Sequence, residues 1–138
     1  LFAETSDLYS RYAKVVEVVG TGLVKAIERG EKDTHETEEL LRKLLKPMLE
    51  ANIDYLVLGC SHYPYLIPLL KKILPEGVKI IDSGLAVANQ TRNILQKLDL
   101  LADSPQLPPE FFSNANPATL RSLVCPTGEA CKVSYLDF

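Results

Sequence analysis

An unbroken apolar run, Tyr55-Leu56-Val57-Leu58, leads straight into Gly59-Cys60-Ser61-His62-Tyr63-Pro64. The run is too short for a typical helix. A glycine at its end and a proline soon after punctuate it as strand, tight turn and helix. Because the run does not alternate with polar residues, residues 54–59 read as a strand buried on both faces, the pattern of a parallel sheet covered by helices. In such sheets ligands gather outside the carboxyl ends of the strands, where this turn places a thiol.

The flanking sequence supports the same class. A short helix carrying Leu8 and Tyr12 is expected near the start, capped by Ser6 or Asp7. Val15-Val16-Glu17-Val18-Val19 reads as a strand. Gly20-Thr21-Gly22 is a turn, with Thr21 the expected cap of a helix over 23–29 that Gly30 ends. Asp33 and Glu36 have capping-box spacing ahead of a helix whose stripe is Leu41, Leu44, Leu45 and Met48. Pro47 should kink that helix or tighten its last turns, and Asn52 lies near its stop. After the cysteine turn, residues 64–74 read as a helix with Leu66, Leu69, Leu70 and Ile73 on one side. A strand over 78–81 follows, then a helix over 85–98 capped by Ser83, with Val87, Thr91, Ile94, Leu95 and Leu98 at helical spacing. Alternation of strand and helix predicts an α/β fold, an open, mostly parallel sheet flanked by helices. Residues 1–100 form this lobe. Residues 101–138 are a proline-containing link and a terminal segment with a short strand at Phe111 and Phe112, a helix over 117–124, a loop between Cys125 and Cys131, and a last strand over 132–138.

With 138 residues, 46% hydrophobic and 24% charged, the chain can bury one domain's core. A net charge of −3 gives no reason to expect nucleic acid or an anionic membrane as partner. No apolar stretch approaches a membrane span. Three cysteines without framework spacing favour a reducing, cytoplasmic setting over a disulfide-stapled one. The start at Leu1 suggests a piece of something longer.

The chemistry centres on Cys60. A free thiol is mostly protonated at neutral pH, and a following helix N-terminus or a paired histidine favours the thiolate. His62 is close enough to pair with it or relay its proton. The thiolate could serve as nucleophile or base, and equally Cys60 could be a small core residue. No metal is expected, because Cys-x-His lacks a second ligand pair. His35, in the acidic link, reads as solvent-exposed.

Leu58-Gly59-Cys60-Ser61-His62-Tyr63-Pro64 closely resembles the second active-site motif of the glutamate racemases, with serine where that family usually has threonine. Ile80-Ile81-Asp82-Ser83-Gly84 resembles the family's next motif. Residues 23–30 resemble the segment that contributes an active-site glutamate, placed here at Glu28. The resemblance implies a two-lobed, flavodoxin-like α/β fold of which this chain is the carboxyl-terminal half. It implies interconversion of L- and D-glutamate by two cysteines on opposite faces of Cα, without cofactor or metal, supplying D-glutamate for peptidoglycan. Cys60 would be one of the two, His62 would assist its proton transfers, and Glu28 would be auxiliary. Ser61 and nearby backbone N–H groups would hold the substrate α-carboxylate, and Asp82 and Ser83 would brace the site. The first lobe, with its own cysteine, would be the missing partner, and a homodimer is expected. Alone, the fragment is expected to be inactive. Aspartate as substrate, a cysteine hydrolase built on Cys60 and His62, and a non-catalytic homologue remain the alternatives.

Overall fold

The computed structural model describes residues 4, 7, 8, 11–102, 107–125 and 131–138. Most of the expected first helix, much of the proline-containing link and the loop between Cys125 and Cys131 lie outside the described residues. The elements in order are α1 (Leu23–Glu28), α2 (His35–Glu50), β1 (Tyr55–Val57), a 3-10 turn (Tyr63–Leu66), α3 (Ile67–Ile73), β2 (Lys79–Ile81), α4 (Gly84–Lys97), β3 (Glu110–Ser113), α5 (Pro117–Val124) and β4 (Lys132–Tyr135). The strands are parallel, as expected, but form two two-stranded sheets, β1–β2 and β3–β4.

The core lies on one side of β1. Leu23 and Ile27 of α1, Leu41 and Leu45 of α2, Leu56 and Leu58, and Leu66, Leu69 and Leu70 bury one another. Ile27 and Leu66, each 1% exposed, sit deepest. The stripe read along α2 is therefore the one that packs. The helix runs through Pro47 to Glu50, and Asn52 follows it at φ 52°.

Several local expectations are corrected. Residues 15–19 are not a strand. Val16 and Val18 are half-buried and Val15, Glu17 and Val19 exposed, a strand-like alternation for which the described residues supply no neighbouring strand. Strand β1 is not buried on both faces. Leu56 is buried, but Tyr55 is 47% and Val57 66% exposed, because no layer among the described residues covers their side of the sheet. The cap of α2 is Thr34, whose hydroxyl accepts the Thr37 N–H, rather than Asp33. Thr37 fills the third helical position that a capping box gives to Glu or Gln, and its hydroxyl donates instead to the Glu31 carbonyl at 2.7 Å. Gly22 rather than Thr21 precedes α1, since the chain turns there through φ 90°, where a side chain is strained. The helix expected over 64–74 opens as a 3-10 turn and becomes α-helical at Ile67. The apolar stripe of α4 buries nothing fully, with Leu95 half-covered and Leu85 74% exposed.

The β3–α5–β4 unit matches the expected elements closely. Asn116 caps α5 by accepting the Ala118 N–H, and Leu123 packs on the main core. Cys125 and Cys131 form a disulfide, contrary to the expectation from cysteine count. Their Cα atoms, one just past α5 and one just before β4, lie 6.6 Å apart, within reach of a bridge. Cys60 is the free cysteine.

Because Leu66 is enclosed and Leu85 is not, their truncations should differ sharply. Leu66→Ala should cost about 2–5 kcal/mol of unfolding free energy, whereas Leu85→Ala should change it by less than about 0.5 kcal/mol. Urea unfolding followed by circular dichroism measures both.

Candidate functional site

Leu56 and Leu58 anchor the strand end in the core, so the chain leaves β1 at a fixed point and turns at Gly59 and Cys60. The turn is closed by backbone bonds from the Tyr63 N–H to the Cys60 carbonyl and from the Tyr65 N–H to the His62 carbonyl, each 3.1 Å. Apart from Gly59 itself and its two chain neighbours, no heavy atom of the described residues lies within 4 Å of where a side chain on Gly59 would begin. Helix α1 arrives from the other direction. Burial of Ile27 places the next residue, Glu28, at the helix end facing the turn.

The result is a polar chain of three side chains. Cys60 Sγ lies 3.9 Å from His62 Nδ1, and His62 Nε2 lies 3.2 Å from Glu28 Oε1. Glu28 is 34 residues from His62 in sequence, so this contact is made by the fold rather than by local geometry. A carboxylate can only accept, which assigns the Nε2 proton to the bond with Glu28 and leaves Nδ1 as acceptor for the thiol proton. Transfer of that proton gives a thiolate beside an imidazolium whose second N–H is held by a carboxylate. Cys60 and His62 are half-buried, which lowers the effective dielectric around the pair while leaving Cys60 accessible.

The other expected residues are placed differently. Asp82 follows β2, beside β1, and its Oδ1 accepts the Gly84 N–H at 2.8 Å, opening α4. Its carboxylate thus braces a turn, and Asp82 rather than Ser83 makes the cap bond, because Ser83 makes no side-chain cap bond. Ser61 is exposed beside Cys60, and no hydrogen bond joins Ser61, Asp82 or Ser83 to the relay among the described residues. His35 is exposed on α2 and pairs with Glu39. No group of three or more metal-ligating side chains is found among the described residues.

Tyr63 and Gly20 are the contribution missed in the sequence. The Tyr63 hydroxyl donates to the Gly20 carbonyl at 3.5 Å, and a Cβ at Gly20 would clash with the Tyr63 hydroxyl oxygen. Close approach of this backbone fastens the entry to α1 against the cysteine turn. Burial pushes the Tyr63 phenol above its ordinary pKa, and the neighbouring Cys60 adds to the effect. The visible signals were a glycine ahead of α1 and a tyrosine inside the turn, neither of which identifies its partner.

No protein-family model matches the chain. Among curated proteins it is 40% identical to a glutamate racemase of Pseudomonas putida over 123 residues, 89% of this chain and 46% of that protein. It is 38% identical to a glutamate racemase of Pseudomonas aeruginosa over 88% of this chain and 47% of that one. The chain therefore spans about half the length of the curated relatives it matches. Among solved structures, a glutamate racemase of Bacillus anthracis superposes with TM-score 0.78 at 29% identity, covering 98% of this chain and 54% of that one. A glutamate racemase of Francisella tularensis, solved with D-glutamate, superposes with TM-score 0.77 at 25% identity over 99% of this chain and 51% of that one. The family resemblance and the α/β fold read from the sequence are thus both borne out.

If His62 takes the thiol proton, His62→Ala should slow alkylation of Cys60 by iodoacetamide at pH 7 by at least about tenfold, with Glu28→Gln intermediate. Mass spectrometry of the alkylated peptide reads this at Cys60 alone, since the other two cysteines are bonded to each other. An unchanged rate in both variants would rule the relay out. The raised Tyr63 pKa sets a second expectation. The folded state favours the neutral phenol, so its contribution is complete below the unfolded tyrosine value of about 10 and is lost as pH rises through the higher folded value. Tyr63→Phe should therefore flatten part of the alkaline fall in stability, measured by thermal unfolding across that range.

Proposed function

We propose that this chain, a relative of the glutamate racemases over nearly all of its length, is the carboxyl-terminal, thiol-bearing half of a racemase that interconverts L- and D-glutamate. The observation that carries the reading is the Cys60–His62–Glu28 relay, with distances of 3.9 and 3.2 Å, in the motif that carries the family resemblance. An amino-acid α-proton is a very weak acid, and removing it requires a base already in contact and support for the developing negative charge. In the proposed step the Cys60 thiolate forms an S–H bond as the Cα–H bond breaks. The electron pair moves toward the substrate carboxylate, and a second thiol returns a proton on the opposite face. His62, held by Glu28, resets Cys60 by accepting or returning its proton.

The second thiol must come from outside this relay, because Cys125 and Cys131 are joined as a disulfide. The other lobe of the whole protein would supply it, as the length of the relatives supports. On this reading residues 1–100 are the catalytic lobe, residues 101–138 lead back toward the first lobe, and the chain alone does not racemise. Ser61, exposed beside the thiol, would receive the substrate carboxylate, and Asp82 and Ser83 would support the neighbouring turn. The whole protein would act in the cytoplasm, without cofactor, as a homodimer supplying D-glutamate for the cell wall. No helix among the described residues is long and apolar enough to cross a membrane.

The test is solvent-deuterium incorporation at Cα of L-glutamate by the whole protein, with and without Cys60→Ala. Deuterium entry and D-glutamate formation that both vanish in the variant are the expected outcome. Absence of exchange in the unmodified protein, with Cys60 acylated by an ester probe, would replace the racemase with a hydrolase.

A further inference from the structure

Two consecutive side chains of the cysteine turn hold opposite ends of α1. His62 Nε2 meets Glu28 Oε1 at 3.2 Å, on the last residue of the helix. The next residue, Tyr63, donates its hydroxyl to the carbonyl of Gly20, ahead of the first helical residue, Leu23. Gly20 permits that approach, because a Cβ there would run into the Tyr63 ring and hydroxyl. Six helical residues rise about 9 Å, so the two contacts are separated by the length of the helix. Between them Leu23 and Ile27 are buried, in one cluster with Leu66 at the far end of the turn. Apolar burial holds α1 against the core but has no direction of its own, so the polar contacts at its ends decide where it stands along its axis. Tyr63 also belongs to the thiol's side of the junction, since its backbone N–H donates to the Cys60 carbonyl at 3.1 Å. Burial first, and then Cys60, raise its phenol above the ordinary value, so at neutral pH the hydroxyl is an uncharged donor with no charge to act on the thiol directly.

We propose that Tyr63 is a positioning residue for the Cys60–His62–Glu28 contact: by holding Gly20 it fixes where α1 stands against the turn, and so where the Glu28 carboxylate meets His62. The role rests on the proposed relay, to which it adds a fourth side chain. Glu28 is 46% exposed, so water competes with His62 for its carboxylate. A slide of α1 by about 1 Å would carry the 3.2 Å contact out of hydrogen-bond reach. The imidazolium would then lose the carboxylate that holds its second N–H, and the thiol would keep its proton to higher pH. The titratable groups that the described contacts bring to Cys60 are His62 and Tyr63 within the turn and, through His62, Glu28 of α1. Of these, Tyr63 alone acts without a charge at neutral pH, through the placement of the others.

The test follows iodoacetamide alkylation of Cys60 against pH in this chain, comparing Tyr63→Phe, Glu28→Gln and the double variant. Tyr63→Phe removes only the hydroxyl. It should move the rate–pH profile to higher pH and slow alkylation at pH 7 by about two- to threefold, with circular dichroism unchanged. In the Glu28→Gln background the same change should have no further effect, because the group being positioned is already gone. A general loosening of the fold would alter both backgrounds alike, and that outcome would overturn the proposal. Gly20→Ala displaces the same contact from its other side and should reproduce the Tyr63→Phe profile, which keeps the role testable if Tyr63→Phe does not fold. An unchanged profile in Tyr63→Phe and Gly20→Ala, with His62→Ala and Glu28→Gln still slow, would remove Tyr63 and leave the relay standing. If no variant changes the rate, the relay falls and the positioning role falls with it. Racemisation is scored separately by deuterium at Cα of glutamate in the whole protein, so a lack of turnover there counts against the function and not against Tyr63.

Discussion

Burial of Ile27 and Leu66 in one cluster with Leu56 and Leu58 is the interaction on which the rest depends. Neither residue belongs to the Cys60–His62–Glu28 contact, yet Ile27 adjoins Glu28 in sequence and Leu66 lies in the turn that follows His62. Ile27 fixes the helix end bearing Glu28, and Leu66 fixes the 3-10 turn that opens next to His62. The polar contacts of the relay are individually worth little in net stability, since each replaces a bond to water. Apolar burial, by contrast, is worth about 1.5–3 kcal/mol per large side chain. The core therefore brings together two polar groups that are 34 residues apart, and the relay is a consequence of packing rather than its cause.

That core is one-sided. Helices α1, α2 and α3 cover one face of β1, whereas Tyr55, Val57 and Ile81 face outward on the other, and α4 carries an apolar stripe that buries no residue fully. Large apolar side chains left in water at this density mark a surface that another protein segment covers. The relatives' doubled length gives the physical context for that exposure.

How much was legible in the sequence followed from whether the determining contact was local. The stripe of Leu41, Leu44 and Leu45, the helix opening at Pro117 and the turn at Cys60 are set by neighbours in the chain, and all were readable. Glu28 was reachable through family resemblance, though its distance to His62 was not. What failed depended on distant partners or on their absence. Val15–Val19 has the composition of a strand but no ladder, and β1 has the composition of a doubly buried strand but only one covered face. The Cys125–Cys131 bridge depends on a crossover that composition does not reveal. The Thr34 cap lay one residue beyond the spacing that pointed to Asp33, a shift within the ordinary uncertainty of helix ends.

Gly59 carries a different kind of lesson. It adjoins Cys60, yet the space where its side chain would project is empty in this chain. Beyond its chain neighbours, nothing among the described residues of this chain fills that position. A survey of substitutions scored by the folding of this chain alone would class Gly59 as permissive, and the same survey scored by turnover of the whole protein would class it by a separate criterion. Tolerance scored by folding therefore reports only on the contacts this chain itself makes around Gly59, and a difference between the two surveys would mark a demand that folding does not impose.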